Sequence, residues 1–180
     1  IINRKKRREL IPKMVQQLQE DLQLKIPPRR IEAFDISHLG GTNTVASMVC
    51  FIDGKARKSE YRKYKIKTVD GIDDFAAMRE VVFRRYRRLK SEQETLPDLI
   101  LIDGGKGQLN TAIKSLKSLG LKLSCISLAK ENEEVFVPKN KNPVVIPKNK
   151  SSLKILQYAR DETHRFGVAY NRTIQKNRIK

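Results

Sequence analysis

The sequence predicts a mixed α/β fold, one sheet with helices against its faces, and three observations point to it. Nearly unbroken apolar runs at residues 45–52, 98–103 and 123–129 have the length of buried strands. Segments with helical spacing of apolar residues, at 74–90 and 106–119, lie between the later runs. The first three strand-like segments are separated only by turn residues, whereas the later ones alternate with helices. Antiparallel pairing followed by parallel pairing gives a mixed sheet.

Taken in order, residues 4–8 form a basic run, Arg-Lys-Lys-Arg-Arg. Leu10, Ile11, Met14, Val15, Leu18 and Leu22 then repeat at helical spacing, with Pro12 confined to the first turn and Pro27-Pro28 closing the segment. Residues 1–29 are therefore expected to be a helical arm or linker, and residues 30–180 the domain proper. Residues 31–35 suggest a strand ending in an acid, and Gly40-Gly41 a turn. The apolar run 45–52 is a central strand, Asp53-Gly54 a hairpin signal, and 58–66 a third strand. A helix is expected from Asp74 to Lys90. Residues 98–103 form a strand that again ends in an acid, followed by a helix from Lys106 to Leu119, closed by Gly120. Residues 123–129 make a fifth strand. Val135–Val137 and Val144–Ile146 suggest a hairpin, and a last helix begins near Ser151.

The chain has 180 residues, enough for one domain with a real core. It carries 38 Lys and Arg against 20 Asp and Glu, a formal net charge of +18. Such a charge repels itself when folded, and a polyanion relieves the repulsion, so nucleic acid is the expected partner. Cys50 and Cys125 lie in apolar runs and read as core residues. With only two His and no Cys pair at ligand spacing, a structural zinc is not expected. No apolar run approaches the roughly 18 residues of a membrane span. No signal peptide is visible, which fits a cytoplasmic protein. The first residue is Ile1, which reads as the start of a piece of a longer protein.

Asp35 and Asp103 each follow a buried apolar segment, where a carboxylate is costly unless paired, hydrogen-bonded or bound to a metal. Either acid alone reads equally as a cap for the next turn. On neighbouring parallel strands they would lie side by side, and two such carboxylates repel unless a divalent cation sits between them. Asp103-Gly104-Gly105-Lys106-Gly107-Gln108 joins a strand to a helix N-terminus, where the backbone can approach an anion and Lys106 can pair with a phosphate. His164 follows Asp161 at helical spacing. It reads as a satisfied histidine or as a third ligand or proton handler. The run 84–90 holds Arg84, Arg85, Arg87, Arg88 and Lys90, a solvated face or a phosphate-contacting one. Asp73-Asp74 suits a helix N-cap.

Four segments resemble one family. Phe34-Asp35-Ile36-Ser37-His38 with Gly40, Asp73-Asp74-Phe75-Ala76-Ala77-Met78, Leu99–Leu109 and Arg160-Asp161-Glu162-Thr163-His164-Arg165-Phe166 match, in order, the motifs of the C-terminal nuclease domain of the UvrC family. They span residues 30–172. The resemblance implies an RNase H-like fold with a five-stranded mixed sheet. It also implies a Mg²⁺ or Mn²⁺ site on Asp35 and Asp103 with His164 as third member, and a further functional acid at Asp74. The phosphate-binding candidates are Lys106, Arg84, Arg85, Arg87, Arg88 and Arg165. The implied activity is the 5′ incision of nucleotide excision repair, on damaged double-stranded DNA delivered by a UvrB-type damage-loading helicase subunit. Two residues depart from the pattern: Ala33, where the family often has Cys, and Asn171, where His is frequent. The family's GIY-YIG nuclease and its helix-hairpin-helix module lie outside the resemblance. Two other readings stay open on the residues alone: a non-catalytic basic DNA-binding module, and an RNase H-like nuclease acting on RNA or hybrids.

Overall fold

The computed structural model describes residues 10–39, 43–69 and 71–179. The basic run at 4–8 and the Gly40-Gly41 turn lie outside these residues. Among the described residues one mixed sheet contains β1 (Arg30–Leu39), β2 (Asn43–Ile52), β3 (Lys55–Ala56), β4 (Arg62–Lys65), β5 (Leu99–Asp103), β6 (Cys125–Ala129) and β7 (Glu134–Phe136). The order is β3-β2-β1-β5-β6-β7, with β4 also paired to β2. β1 and β2 are antiparallel, β1–β5 and β5–β6 are parallel, and β6–β7 is antiparallel. The mixed α/β expectation therefore holds, but the sheet has seven strands where five were expected.

Two differences account for the count. The expected third strand, residues 58–66, opens as a 3-10 turn at Lys58–Glu60 and is extended only at β4, while a separate short β3 precedes it, and both strands pair with β2. This stretch is polar and mostly exposed, so no continuous apolar face holds it straight. The hairpin expected at 134–147 yields β7 and a single bridge from Val135 to Val144. Pro138, Pro143 and Pro147 remove the donors a longer ladder needs. The Asp53-Gly54 turn is as predicted: both residues have positive φ, 52° and 79°, and they join β2 to β3 directly.

Among the described residues four helices flank the sheet: α1 (Lys13–Asp21), α2 (Asp74–Ser91), α3 (Lys106–Ser118) and α4 (Ser151–Ile179). Strand alternation sorts the side chains into two layers. Ile31, Ala33, Leu99, Leu101 and Ile126 face α1 and α4, where Val15, Leu18, Leu153, Leu156 and Ala159 are buried. Phe34, Met48, Ile100 and Ile102 face α2 and α3, against Met78, Val82, Tyr86, Leu109 and Leu116. The described part of the N-terminal arm packs onto this body through α1. Val15 and Leu18 are fully buried, and Asp21 accepts hydrogen bonds from Ser152 Oγ at 2.6 Å and Lys150 Nζ at 3.3 Å. Cys50 and Cys125 are free and buried, and burial pushes both thiols up, that of Cys50 to about 11. Among the described residues no helix is long and apolar enough to cross a membrane.

Candidate active site

Asp35 lies within β1, not at its end as expected, because pairing with β2 carries the strand on to Leu39. What places it is register. Phe34 is level with Ile102 across the parallel β1–β5 pair, so the next step sets Asp35 beside Asp103. Both continue the odd-numbered row that faces α4. Their side chains are only 9% and 5% exposed. His164 comes from α4 on that same face, with Nδ1 3.3 Å from Asp35 Oδ2. Its carboxylate neighbour is thus Asp35, 129 residues away, and not Asp161 one turn back. A proton on Nδ1 donated to Asp35 leaves the Nε2 lone pair free.

Asp103 is the anomaly of the site. Its Oδ2 is buried and has no hydrogen-bond partner. Burial and then the charge of Asp35 raise its carboxyl to about 6, opposed by Lys130 at 3.9 Å. The Oε1 of Gln108 is likewise buried without a partner. Asp35, Asp74, Asp103, Gly104, Gln108 and Lys130 help line one open cavity of about 350 Å³. Gly104 is required at its place: φ is +151°, and a Cβ there would meet Gln108 Cγ at 2.7 Å.

The paired acids of the α2 N-terminus divide their tasks. Asp73 is the N-cap, accepting from Ala76 N at 3.0 Å. That frees Asp74 to face the cavity, where His38 Nε2 reaches its Oδ1 at 2.5 Å and His38 Nδ1 meets Thr44 Oγ1 at 3.1 Å. His38 and Lys130 are the site residues sequence reasoning did not single out. His38 stood inside a quoted motif. Lys130 is a lone lysine just past a strand, with no local signal in so basic a chain.

One residue of the expected phosphate-binding run, Arg85, requires a correction. Arg85 is 4% exposed and reaches Glu32 through two nitrogens, each at 3.2 Å, while Tyr86 OH donates to Glu32 at 2.9 Å. Burial alone would lower the Arg85 pKa, but the hydrogen bonds and charge of Glu32 outweigh it and raise it. Arg85 is thus turned into the core, with its guanidinium on Glu32. Arg84 bonds Glu80 and the Lys65 carbonyl, Arg88 pairs with Glu92, and Arg87 lies over the Phe83 ring. Along α2 these residues stand roughly 15–21 Å from Asp74, at 1.5 Å per residue. Arg165 is held by Glu162 at 2.6 and 2.8 Å, and Lys106 is exposed at the start of α3. Asn171, at the departure from the family pattern, donates to Ser37 Oγ at 3.2 Å.

Among the described residues no three His, Cys, Asp or Glu side chains are gathered into a ready-made metal cage. Asp35 instead meets His164 on one side and Asp103 on the other. The partnerless Asp103 and Gln108 oxygens are acceptors waiting for a positive or proton-donating ligand. An all-oxygen-and-imidazole set with open space suits Mg²⁺ or Mn²⁺.

Residues 19–168 match the model of the UvrC RNase H endonuclease domain. The chain belongs to that family. Proteins named UvrABC system protein C are its relatives. That of Prosthecochloris aestuarii is 50% identical over 180 residues, covering 99% of this chain and 29% of the relative. That of Methanococcus maripaludis is 52% identical over 165 residues, covering 92% and 31%. The chain thus spans less than a third of the length of these curated relatives. Among solved structures, it is similar to Ciona intestinalis endonuclease V in complex with inosine-containing DNA, with a TM-score of 0.46 and 15% identity over 73% of this chain and 61% of that one. Human ENDOV gives a TM-score of 0.46 and 10% identity over 89% and 96%. As a UvrC RNase H endonuclease domain the chain has the RNase H-like mixed sheet described above, with extra short strands at its edges.

Proposed function

We propose that this UvrC-family domain makes the 5′ incision beside a lesion in nucleotide excision repair, with Mg²⁺ or Mn²⁺ held by Asp35, Asp103 and His164. The observation that carries the reading is the juxtaposition of Asp35 and Asp103 with a buried, unpartnered Asp103 oxygen, next to a histidine drawn from a distant helix. A divalent ion bound there supplies an acidified water and positive charge for the phosphate oxygens. The protein's own residues supply the rest. Asp35 orients His164 through Nδ1. The Gly104-Gly105 turn and the α3 N-terminus let a phosphate approach closely. Asp74, steadied by His38, faces the same cavity. In the reaction, a water oxygen bonds to phosphorus while the P–O3′ bond breaks. The 3′ oxygen takes up a proton, leaving a 3′-hydroxyl and a 5′-phosphate. Contacts to phosphate carry no sequence information, so cutting is sequence-independent, and a UvrB-type subunit supplies position on damaged DNA in the cytoplasm.

The test uses full-length protein, wild type and Asp35→Ala, on a lesion-bearing duplex loaded with the partner, in Mg²⁺ and in EDTA. Loss of the 5′ cut in both Asp35→Ala and EDTA, with DNA and partner binding retained, is the expected result. Normal 5′ cutting by Asp35→Ala in Mg²⁺ would make the site structural. A parallel panel of duplex DNA, hybrid and RNA is expected to show cutting of DNA only.

A further inference from the structure

Lys130 follows β6 directly, and β6 runs beside β5 with Leu128 level with Asp103. Its ammonium stands 3.9 Å from Asp103 Oδ2 and the side chain is 62% exposed. That distance is beyond hydrogen-bonding range, which is why Asp103 Oδ2 remains without a partner. As a counter-ion for a buried acid Lys130 is thus badly placed: too far to donate and too wet to be worth much. It is well placed for something else. Lys130 lines the acidic cavity with Asp35, Asp74 and Asp103, and also a second cavity of about 340 Å³ with Arg160, Asp161 and His164. A strand crossing from one cavity to the other passes this ammonium.

The other cation of the second cavity is committed. Arg160 Nη1 contacts both Glu133 oxygens, at 2.9 and 3.0 Å, and its Nη2 bonds Asp161 at 3.2 Å. An incoming phosphodiester meets three carboxylates in the first cavity, so a positive group at the rim offsets their repulsion. A flexible lysine, acting as a point charge, suits a phosphate oxygen whose charge grows during the reaction.

We infer that Lys130 is a catalytic residue of the incision reaction, its ammonium donating a hydrogen bond to a non-bridging oxygen of the phosphate being cut. No proton or electron changes hands in this contact; it strengthens as negative charge accumulates on that oxygen. The inference rests on the nuclease reading above.

The experiment compares full-length wild type, Lys130→Met, Lys130→Arg and Asp103→Asn on the partner-loaded lesion duplex. It measures the single-turnover 5′ incision rate at saturating enzyme, the Kd for the substrate, and the Tm without DNA. For Lys130→Met the expected result is a rate about a hundredfold lower, as for loss of one transition-state donor. Its Kd changes by no more than about threefold, and its Tm stays close to wild type because the side chain is exposed. Lys130→Arg is expected to recover part of the rate. The inference is overturned if Lys130→Met cuts at the wild-type rate, if its whole defect lies in Kd, or if its loss of rate follows a fall in Tm. Asp103→Asn separates the two levels. A variant at that position that still cuts removes the nuclease reading itself. A dead Asp103→Asn beside a fully active Lys130→Met removes only the role of Lys130.

Discussion

Glu32 and Asp35 both lie on β1 and both are shielded from water, yet their surroundings are opposite. Glu32 faces α2, where Arg85 and Tyr86 reach its oxygens and Arg30 adds a contact at 3.1 Å. Asp35 faces α4 beside Asp103, and that pair has one long lysine contact and a histidine for company. The first cluster is electrically complete. The second has more negative charge than the protein balances. A buried acid matched by its own chain serves the fold, whereas one left unmatched marks a place for a ligand.

The contrast breaks most visibly at the complete cluster. Arg85→Ala leaves buried Glu32 with only Tyr86 and Arg30 as partners, a loss of about 3 kcal/mol, read as a large drop in the denaturation midpoint. Replacing both partners, Glu32→Gln with Arg85→Met, is expected to recover most of it. If Arg85→Ala melts like wild type, the cluster is not the strut described here.

At the incomplete cluster the sign reverses. The Asp103 carboxyl is raised to about 6 from its usual value of 3.8, first by burial and then by Asp35. The folded state therefore holds this proton more tightly than the unfolded one. Stability falls as pH rises from about 4 through 6, and the full cost stands above that. Asp103→Asn is expected to stabilise the divalent-free protein at neutral pH by on the order of 2–3 kcal/mol, while abolishing the 5′ cut. The gain should fade below about pH 4. A pH-independent difference in Tm would contradict the assignment of that charge.

How far these clusters were legible depended on how local their signals are. Asp35 and Asp103 announced themselves as acids against apolar runs, and the parallel pairing that joins them follows from alternating helices and strands. The partner of His164 is 129 residues away, so only the family resemblance assigned it a role. Arg85 was misread because a run of charges hides its own periodicity. Met78, Val82, Arg85 and Leu89 share the buried helical stripe, and that spacing was the available clue. Lys130 acquires meaning only when β6 is laid beside β5. The division between Asp73 as cap and Asp74 as site residue also needed coordinates, since either fits an N-cap in sequence.

Smaller effects sharpen the picture. His38→Ala removes the side chain that holds Asp74 and costs about 1 kcal/mol or less in stability. If Asp74 is a working acid, the incision rate is expected to fall by about tenfold in single-turnover assays; an unchanged rate would reduce Asp74 to a bystander. Smallest of all, Arg87→Ala on the outer face of α2 should alter stability by less than about 0.5 kcal/mol. If Arg87 touches a phosphate, the slope of log Kd against log salt drops by about 0.9. An unchanged slope places that face outside the DNA path.

The most direct measurement of the central claim is thermal melting during a Mn²⁺ titration, without DNA, on wild type and Asp103→Asn. A cation that completes the Asp35–Asp103 cluster stabilises only the folded state, so the wild-type Tm should climb with Mn²⁺. The variant should start higher and stay level. Equal climbs in both proteins would contradict the claim that the unmatched charge of Asp103 is where the metal belongs.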